Sequence, residues 1–266
     1  MTGKVQGYAA LVTGGASGIG QAIVNSLVEG GAHVLLTDID ENAGQNMVSQ
    51  SQGTMRFLRA DATAESDARH SIEYALEHFG RLDILVNNVG NFGAGDAAGV
   101  GLEDVETDAW DNTLRQCLTS CMLGMKYALP PMLEQGSGSI VNIASLAGIR
   151  VTRYASYAYH AAKAGVVHLS EAAAVLYADR GIRINVVAPG LTLTPNIENS
   201  MPADTRDALV REFHPSRKMV SPRQIADAVL WAASPDGACA TGLVIPVDGG
   251  WSARYSSNRL RPGGSI

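Results

Sequence analysis

Residues 13–20 read Thr13-Gly14-Gly15-Ala16-Ser17-Gly18-Ile19-Gly20, a glycine-rich stretch between an apolar run and an amphipathic segment. The apolar run, Tyr8 to Val12, predicts a buried strand, and the segment over about 19–29 predicts a helix. Glycines at such a turn let the backbone approach a ligand and let the helix pack closely on the strand. The stretch therefore predicts the first strand, turn and helix of a parallel α/β sheet.

The spacing of the glycines indicates what the turn binds. Gly14, Gly18 and Gly20 follow the pattern GxxxGxG, a variant of the GxGxxG turn that binds dinucleotides. The start of the helix offers unpaired N–H groups and a favourable dipole to a diphosphate, so we expect Ser17 and Ile19 to line the site as well. A merely flexible turn is the alternative, but strand, glycines and helix all come in the order that a dinucleotide site requires.

Asp38 lies at the end of the second predicted strand, where a carboxylate can accept hydrogen bonds from the hydroxyls of an adenosine ribose. A 2′-phosphate at that place would meet a like charge, and the next residues, Ile39 and Asp40, supply no cation to neutralise it. The sequence therefore favours NAD over NADP. The alternative is that Asp38 caps the helix predicted to begin at residue 41.

The rest of the chain alternates short apolar runs with longer amphipathic segments, a pattern typical of a doubly wound parallel sheet with helices on both faces. The predicted strands are Tyr8–Val12, His33–Thr37, Met55–Leu58, Leu82–Val86, Ser139–Ala144, Arg183–Ala188 and Leu243–Val247. Helices are predicted near 19–29, 41–50, 64–79, 103–134, 156–179 and 221–233, with the periodicity of 103–134 broken near its end by Pro130-Pro131. We expect one α/β domain over 1–251, with 191–220 as an irregular substrate-binding segment and 252–266 as a mobile tail.

Composition excludes several classes of protein. A chain of 266 residues with 46% hydrophobic and 17% charged side chains suits one large globular domain whose surface favours contacts between subunits. A net charge of -6 argues against binding to nucleic acid or to an anionic membrane. The beginning of the chain lacks the features of a signal peptide, so we expect a cytoplasmic protein. Three cysteines without a CxxC pattern suggest neither disulfides nor a zinc site, and we expect no metal.

A second candidate site lies in the predicted helix over 156–179. Tyr159 and Lys163 are four residues apart there, so both side chains leave one face of the helix. Such a pair alone is common on amphipathic surfaces. Ser145, however, follows the fifth predicted strand, at the edge where open α/β sheets bind ligands.

The chain resembles the short-chain dehydrogenases/reductases, which have a Rossmann-type fold, over nearly its whole length. Seven motifs carry the resemblance in the family's order, and a chance coincidence of all of them is negligible. They are the glycine turn at 14–20, Asp61-Ala62, Asn87-Asn88-Val89-Gly90, Ser145, Tyr159 with Lys163, Pro189-Gly190 through Thr194, and Val247-Asp248-Gly249-Gly250.

The resemblance implies a set of contacts to the cofactor. Asp61 would bind the adenine amino group, and residues 87–90 would line the adenosine half of the cofactor. Thr194 and the backbone after Pro189 would hold the nicotinamide carboxamide, although Thr192 could do so as well. The cofactor residues are thus Gly14, Ser17, Gly18, Ile19, Gly20, Asp38, Ile39, Asp61, Ala62, Asn88, Val89, Gly90, Tyr159, Lys163, Pro189, Gly190, Thr192 and Thr194.

The resemblance also implies a reaction, the interconversion of a secondary alcohol and a ketone. A phenol with a pKa of about 10 is a poor base unless a cation such as Lys163 stabilises its anion. Tyr159 would then exchange the proton of the substrate oxygen, which Ser145 orients. The alternatives are a carbonyl reductase using NADPH, a dinucleotide-binding regulator without catalysis, and a lyase or dehydratase. The family's usual assembly predicts a homotetramer, or otherwise a homodimer.

One position departs from the family's pattern. The family has a catalytic Asn seven residues after a Trp, and the same count from Trp110 reaches Cys117. A thiol cannot supply the paired donor and acceptor of an amide, so the water chain from Lys163 would rely on a backbone carbonyl or on Gln116. A shifted register that uses Asn112 is the alternative.

The substrate is expected between segments 91–101, 146–157 and 191–215. Their side chains are mostly apolar, which favours a hydrophobic, cyclic or aromatic alcohol. The apolar candidates are Phe92, Val100, Leu146, Ile149, Val151, Tyr154, Leu191, Leu193, Ile197, Met201 and Phe213. An acidic substrate stays open because Arg150, Arg153, Arg206 and Arg211 lie nearby in the sequence.

Overall fold

The computed structural model of the chain describes residues 3–51, 53–91 and 95–253. Its strands are β1 (Ala9–Thr13), β2 (His33–Asp38), β3 (Met55–Arg59), β4 (Ile84–Asn87), β5 (Gly138–Ile143), β6 (Ile182–Pro189) and β7 (Val244–Val247). They form one sheet in the order β3-β2-β1-β4-β5-β6-β7, and every pair of neighbours is parallel. The predicted doubly wound, seven-stranded parallel sheet is confirmed.

Nine α-helices connect the strands in the described part of the chain. They are α1 (Gly18–Glu29), α2 (Glu41–Ser49), α3 (Glu65–Phe79), α4 (Thr107–Leu114), α5 (Ser120–Gln135), α6 (Tyr157–Tyr177), α7 (Pro195–Ser200), α8 (Ala203–Phe213) and α9 (Pro222–Ala233). None of the described helices has both the length and the apolar composition that crossing a bilayer requires.

Alternating side chains of the strands build a core on each face of the sheet. Ala10 and Val12 of β1 belong to the cluster that packs against α1 and α9, whereas Leu11 between them belongs to the opposite cluster. That second cluster packs against α3, α5 and α6. Because the central strands β1 and β4 are covered on both faces, most of their residues are apolar, and burial of each large side chain contributes roughly 1.5–3 kcal/mol. The edge strand β3 instead has the exposed Arg56 and Arg59.

The order of the strands creates a crevice. The chain moves outward from β1 through β2 to β3, and then returns to the other side of β1 to place β4. The connections that leave the carboxyl ends of β1 and β4 therefore diverge to opposite faces of the sheet, which opens a space above these strand ends.

The helical region predicted over 103–134 differs from the prediction. The prolines do not break it, because α5 continues through Pro130 and Pro131 to Gln135 and ends at Gly136 in the left-handed conformation. Each proline removes only its own N–H from the helix, Pro130 is exposed, and the buried Met132 beyond them keeps the last turn on the core. The interruption lies instead at Arg115–Thr119, a π-helical turn that joins α4 to α5.

The segment 191–220, predicted to be irregular with short helical stretches, contains α7 and α8. A parallel bridge between Thr192 and Val220 joins its two ends. The side chain of Thr194 caps α7 by accepting a hydrogen bond from the backbone N–H of Ile197. Most of the predicted tail, residues 254–266, lies outside the described residues.

Candidate active site

A cleft of about 1030 Å³ lies at the carboxyl ends of the strands. Of the residues that the sequence assigned to catalysis or to the cofactor, all but Asn87 line it, although their roles stay predictions. Asn87 is buried, and its side-chain amide donates to that of Asn142 at 2.8 Å. From the predicted cofactor end the lining residues are Gly14, Ser17, Gly18, Ile19, Gly20, Asp38, Ile39, Asp61, Ala62, Asn88, Val89, Gly90, Ser145, Tyr159, Lys163, Pro189, Gly190, Thr192 and Thr194. The fold thus brings together residues that are up to 180 positions apart in the sequence.

Two glycine positions of the turn could not hold a side chain without strain. A Cβ atom on Gly20 would lie 1.9 Å from the carbonyl oxygen of Gly14, and Gly18 has a φ of +52°, in the left-handed region. Ser17 precedes α1 but its exposed side chain does not cap the helix. The first N–H groups of α1 are therefore not occupied by that hydroxyl, and a diphosphate fits the turn.

Asn88 joins the glycine turn to the end of β4. Its side-chain amide donates hydrogen bonds to the carbonyl oxygens of Thr13 and Gly14, at 3.2 and 2.9 Å. Its backbone N–H donates to the hydroxyl of Thr13, at 3.1 Å. The turn is thus held in position from the neighbouring strand, without relying on a bound ligand.

Asp38 does not cap α2, so that alternative is wrong. Asp40 is the cap, since its carboxylate accepts a hydrogen bond from the N–H of Ala43 at 3.0 Å. The half-buried carboxylate of Asp38 instead accepts from the N–H groups of Ala16 and Asp40, at 3.0 and 3.1 Å. These bonds fix it beside the glycine turn, with the side chain of Ile39, 66% exposed, next to it in the cleft wall.

Asp61 follows β3 and is oriented by its neighbours. One of its carboxylate oxygens accepts from both the N–H and the hydroxyl of Thr63, at 2.9 and 2.8 Å. Its own N–H donates to the carboxylate of Asp67 at 3.0 Å. The side chain stays exposed in the cleft wall beside Ala62, where it is accessible to a polar ligand group.

Lys163 is the most deeply placed charge of the cleft. Its side chain is 2% exposed, and its ammonium donates a hydrogen bond to the carbonyl oxygen of Ile143 at 2.9 Å. The ammonium also lies 5.7 Å from the centre of the Tyr159 ring, one helical turn away on α6. A Cβ atom on Gly90 would lie 2.5 Å from this ammonium, so the absence of a side chain there makes room for it.

Ser145 stands at the exit of β5, in an extended conformation. Its hydroxyl oxygen accepts from the N–H of Ala147 at 3.2 Å and so begins a short 3₁₀ turn, Leu146–Gly148. The O–H can then donate to a substrate oxygen.

The loop that follows the 3₁₀ turn is tied to α6 by His160. The Nδ1 atom of His160 contacts the carbonyl oxygen of Ser156 at 2.7 Å, and its Nε2 accepts from the N–H of Thr152 at 3.0 Å. Because a carbonyl only accepts, the proton of the neutral ring is on Nδ1. His160 thus holds Thr152 in the cleft wall and is not positioned as a base.

Cys117 lies in the π-helical turn and is buried beside Lys163. A Cβ atom on Gly90 would lie 3.4 Å from its sulfur and 2.5 Å from the lysine ammonium. The thiol and the ammonium are therefore both next to Gly90. Its Sγ donates to the carbonyl oxygen of Asn91 at 3.3 Å. Burial raises the pKa of the Cys117 thiol, even though the Lys163 charge lowers it, so the thiol stays protonated at neutral pH.

This position favours the register that places Cys117 where the family has its Asn. Asn112, the alternative, lines the cleft one π-helical turn earlier, and its side-chain oxygen accepts from the amide of Gln116 at 3.3 Å. Gln116 lines the cleft as well. Both amides are therefore near the site, whereas Cys117 has the place next to Lys163.

The opposite wall comes from the segment after β6. Gly190 is required there because a Cβ atom would lie 2.8 Å from the Cα of Asp248. The buried hydroxyl of Thr192 donates to the Gly190 carbonyl at 3.0 Å. Thr194 faces the glycine turn, since a Cβ atom on Gly18 would lie 3.5 Å from its methyl group. Both threonines that the sequence left open thus line the cleft.

The predicted substrate residues are only partly correct. Those that line the cleft are Leu146, Tyr154, Leu191, Ile197 and Met201. Those that do not are Val100, Ile149, Val151, Leu193 and Phe213, and Val151 is 92% exposed. Phe92 lies outside the described residues. None of the four arginines considered in the sequence lines the cleft, and Lys163 is the cation among the described lining residues.

Trp251 lines the cleft and was missed by sequence reasoning. It stacks on Phe213, at the end of α8, with ring centres 4.7 Å apart, and Phe213 in turn contacts the ring of Tyr154 edge-on. Its place directly after the last strand was a usable signal, because the carboxyl ends of all the parallel strands meet at the cleft.

Comparisons with known proteins agree with this geometry. The model of a family described as enoyl-(acyl carrier protein) reductase matches residues 14–252. The chain is 38% identical over 246 residues to the cis-4-hydroxycyclohexanecarboxylate dehydrogenase of Sinomonas cyclohexanicum, covering 92% of this chain and 96% of that protein. It is 35% identical over 255 residues to the 2,5-dichloro-2,5-cyclohexadiene-1,4-diol dehydrogenase of Sphingobium indicum, covering 95% and 99%.

Solved structures give the same result. That of a short-chain dehydrogenase/reductase from Burkholderia xenovorans superposes with a TM-score of 0.86 at 37% identity, covering 96% of this chain and all of that one. Fold, cleft and sequence similarity thus coincide over nearly the full length. The chain belongs to the short-chain dehydrogenase/reductase family.

Proposed function

We propose that the protein is an NAD-dependent dehydrogenase that interconverts a secondary alcohol and a ketone on a hydrophobic, cyclic substrate. The observation that carries the proposal is the buried Lys163 ammonium one helical turn from Tyr159, in a cleft that also contains Ser145 and the glycine turn. A base, its stabilising cation, an oxygen-binding hydroxyl and a diphosphate site are the groups that this reaction needs.

The residues of the chain account for the movement of the proton. Tyr159, with the Lys163 ammonium one helical turn away, is the general base that accepts the hydroxyl proton of the alcohol. Ser145 donates a hydrogen bond to the same oxygen and stabilises its partial charge. NAD held by the glycine turn would supply the acceptor for the hydride that leaves the carbinol carbon. The products are a ketone, NADH and one proton, and in the reverse direction Tyr159 donates its proton to the carbonyl oxygen.

The choice of NAD rests on charge. Members of the family use nicotinamide dinucleotides. Asp38 is held beside the glycine turn by two backbone N–H groups, and the residues that follow it, Ile39 and Asp40, bring no positive charge. A 2′-phosphate would meet the carboxylate without a compensating cation, so NADP should bind poorly. The alternative, a carbonyl reductase using NADPH, requires another cation to offset Asp38.

The cyclic substrate rests on the cleft wall and on the relatives. Leu146, Tyr154, Ile197, Met201 and Trp251 make the substrate half of the cleft largely apolar. The two relatives named above are dehydrogenases of ring compounds, by their names. Apolar walls, with the buried Lys163 as the one cation among the described lining residues, suit a neutral ring alcohol better than a carboxylate.

The assembly is also part of the proposal. Val175 and Leu176 of α6 and Met122 of α5 are large apolar side chains exposed on the outer surface of the helical layer. Such a surface is better covered by a second copy of the chain than by water. We propose a homotetramer, or a homodimer, whose mass can be measured by light scattering.

An initial-rate screen tests the function. Secondary alcohols and ketones, beginning with cyclohexanols and cyclohexanones, are tested with NAD and with NADP beside Tyr159→Phe. We expect NADH formation, and a loss of kcat of roughly 10³-fold in this variant because its general base is missing. Tyr157→Phe is the control, since Tyr157 lies two residues away on α6 and its side chain is 49% exposed.

Each contrary result has a definite meaning. Full turnover by Tyr159→Phe would show that another group is the base. Binding of NADH without turnover of any alcohol or ketone would favour a non-catalytic regulator. The observation behind this alternative is that Cys117 stands where the family has its catalytic Asn. Higher kcat/KM with NADP than with NAD would overturn the assignment of Asp38.

A further inference from the structure

Asp96 lies outside the motifs that define the site, yet it is linked to the helix that carries Tyr159. It belongs to the loop between β4 and α4. One of its carboxylate oxygens accepts hydrogen bonds from two hydroxyls, that of Thr113 on α4 at 2.8 Å and that of Ser156. The loop, α4 and the beginning of α6 therefore meet at a single oxygen atom.

Ser156 connects this carboxylate to the catalytic helix. It is the N-cap of α6, and its Oγ accepts a hydrogen bond from the backbone N–H of Tyr159 at 3.1 Å. Because the hydroxyl donates its one proton to Asp96, its lone pairs are directed toward the helix. The chain of bonds runs from Asp96 through Ser156 to the N–H of the proposed catalytic base.

The two hydroxyls that donate to Asp96 are buried. Ser156 is 3% exposed and Thr113 is fully buried, so removal of the carboxylate leaves two buried hydroxyls without the acceptor they share. Lys163, by contrast, is anchored independently, because its ammonium donates to the carbonyl of Ile143 on β5. Loss of the Asp96 contact should thus loosen the first turn of α6, which contains Tyr159, and leave Lys163 in place.

We infer that Asp96 is a positioning residue for Tyr159, which it orients through Ser156. The inference rests on the proposed function, because it concerns the placement of the base for that reaction. The carboxylate fixes the rotation of the first helical turn, and the phenol thereby meets the substrate oxygen at a constant distance. A shift of about 1 Å in such a group can lower turnover roughly 100-fold.

The experiment compares Asp96→Ala, Asp96→Asn, Ser156→Ala and the double variant Asp96→Ala/Ser156→Ala in the full-length protein. We expect Asp96→Ala to lower kcat roughly 10- to 100-fold with a smaller rise in KM for NAD, since Lys163 keeps its own bond to Ile143 and the glycine turn belongs to α1 rather than to α6. Asp96→Asn should recover much of the rate because its amide oxygen accepts from the same hydroxyls. The double variant should be no slower than the slower of the two single variants, because both changes break one chain of bonds.

Hydrogen exchange gives a readout that does not need turnover. Amides in the first turn of α6, including that of Tyr159, should exchange faster in Asp96→Ala than in the wild type. Asp104→Asn is the matched control, since Asp104 is an exposed carboxylate in the same loop. If the wild type oxidises no alcohol, the proposed function fails, and the exchange result alone decides on the positioning role.

The inference is overturned if Asp96→Ala has the kcat and the hydrogen exchange of the wild type. It is also overturned if Asp96→Ala lowers kcat as much in the Ser156→Ala variant as it does in the wild type. It is also overturned if KM for NAD rises as much as kcat falls. Should Asp96→Ala not fold, Asp96→Leu replaces it, since leucine has a similar size but no acceptor. Faster exchange at Tyr159 in Asp96→Leu than in Asp96→Asn supports the inference, and equal exchange in the two variants contradicts it.

Discussion

The two halves of the cleft are built in different ways. The cofactor half is shaped mainly by backbone, namely the ends of β1, β2 and β4 and the glycine turn. The side-chain amide of Asn88 holds this turn in place. The substrate half is shaped by side chains on loops and on the short helices α7 and α8, and by the contact between Phe213 and Trp251. A site made from backbone depends on a few glycines, whereas a site made from loops can change residue by residue while the fold persists.

The strongest test of this contrast is Gly20→Ala. The added methyl group would meet the carbonyl oxygen of Gly14 at 1.9 Å, and a backbone atom cannot move aside as a side chain does. We expect the free energy of unfolding to fall by roughly 2–3 kcal/mol and NADH binding to weaken at least ~100-fold. Chemical denaturation and fluorescence titration with NADH measure the two effects.

Gln21→Ala is the control for this substitution, since Gln21 is the exposed next residue of α1. It should leave both quantities unchanged. NADH binding of wild-type strength in Gly20→Ala would mean that the turn can rearrange, and the contrast between a rigid and an adaptable half would be lost.

A smaller effect is expected from the double variant Asp38→Asn/Ile39→Arg. It removes the charge that repels a 2′-phosphate and adds a guanidinium that can bind one, at a position already exposed in the cleft wall. We expect the ratio of kcat/KM for NADP to that for NAD to rise roughly 100-fold, or about 2.7 kcal/mol.

Asp40→Asn is its control, because Asp40 is the adjacent carboxylate and caps α2. This change should lower stability slightly and leave the coenzyme ratio as it is. A ratio that does not move in the double variant would show that coenzyme choice is made elsewhere in the cleft.

The smallest effect is expected from Cys117→Asn, at the boundary between the two halves. The two side chains have similar volumes, and the amide would place a paired donor and acceptor beside Lys163. We expect kcat to stay the same or to rise by no more than ~10-fold, as measured by steady-state kinetics. Cys239→Ser, at an exposed thiol, is the control. Complete loss of activity in Cys117→Asn would show that the thiol has a role of its own.

The sequence predicted most of the residues that line the backbone-built half, because many of its signals are local. Strand, glycine turn and helix follow one another within some twenty residues, and the parallel topology then brings the other strand ends to the same edge. Gly14 and Asp38 could be placed from their positions after strands, whereas Asn88 was predicted from the resemblance to the family. The structure was needed to show that Asp40, which was not predicted as a cap, caps α2 in place of Asp38.

The other half could not be predicted in the same way, because its contacts join segments that are distant in sequence. Nothing near Val151 indicates that it points to solvent while Tyr154 lines the cleft. The bond between Asp96 and Ser156 spans 60 residues and depends on how two loops fold over each other. The continuation of α5 through Pro130 and Pro131 likewise depends on packing, which outweighs local propensity.

The π-helical turn at Arg115–Thr119 has a consequence for how such a site can evolve. In an uninterrupted α-helix, residues seven apart share a face, so Cys117 and Gly124 would point the same way. Cys117, within the wider turn, lies beside Lys163, and Gly124, beyond that turn in α5, makes room for the side chain of Asn87 on the sheet. Insertion or deletion of a single codon within this turn would rotate Cys117 relative to Gly124 by about 100° around the helix axis. The cleft would then change while the strands stay as they are.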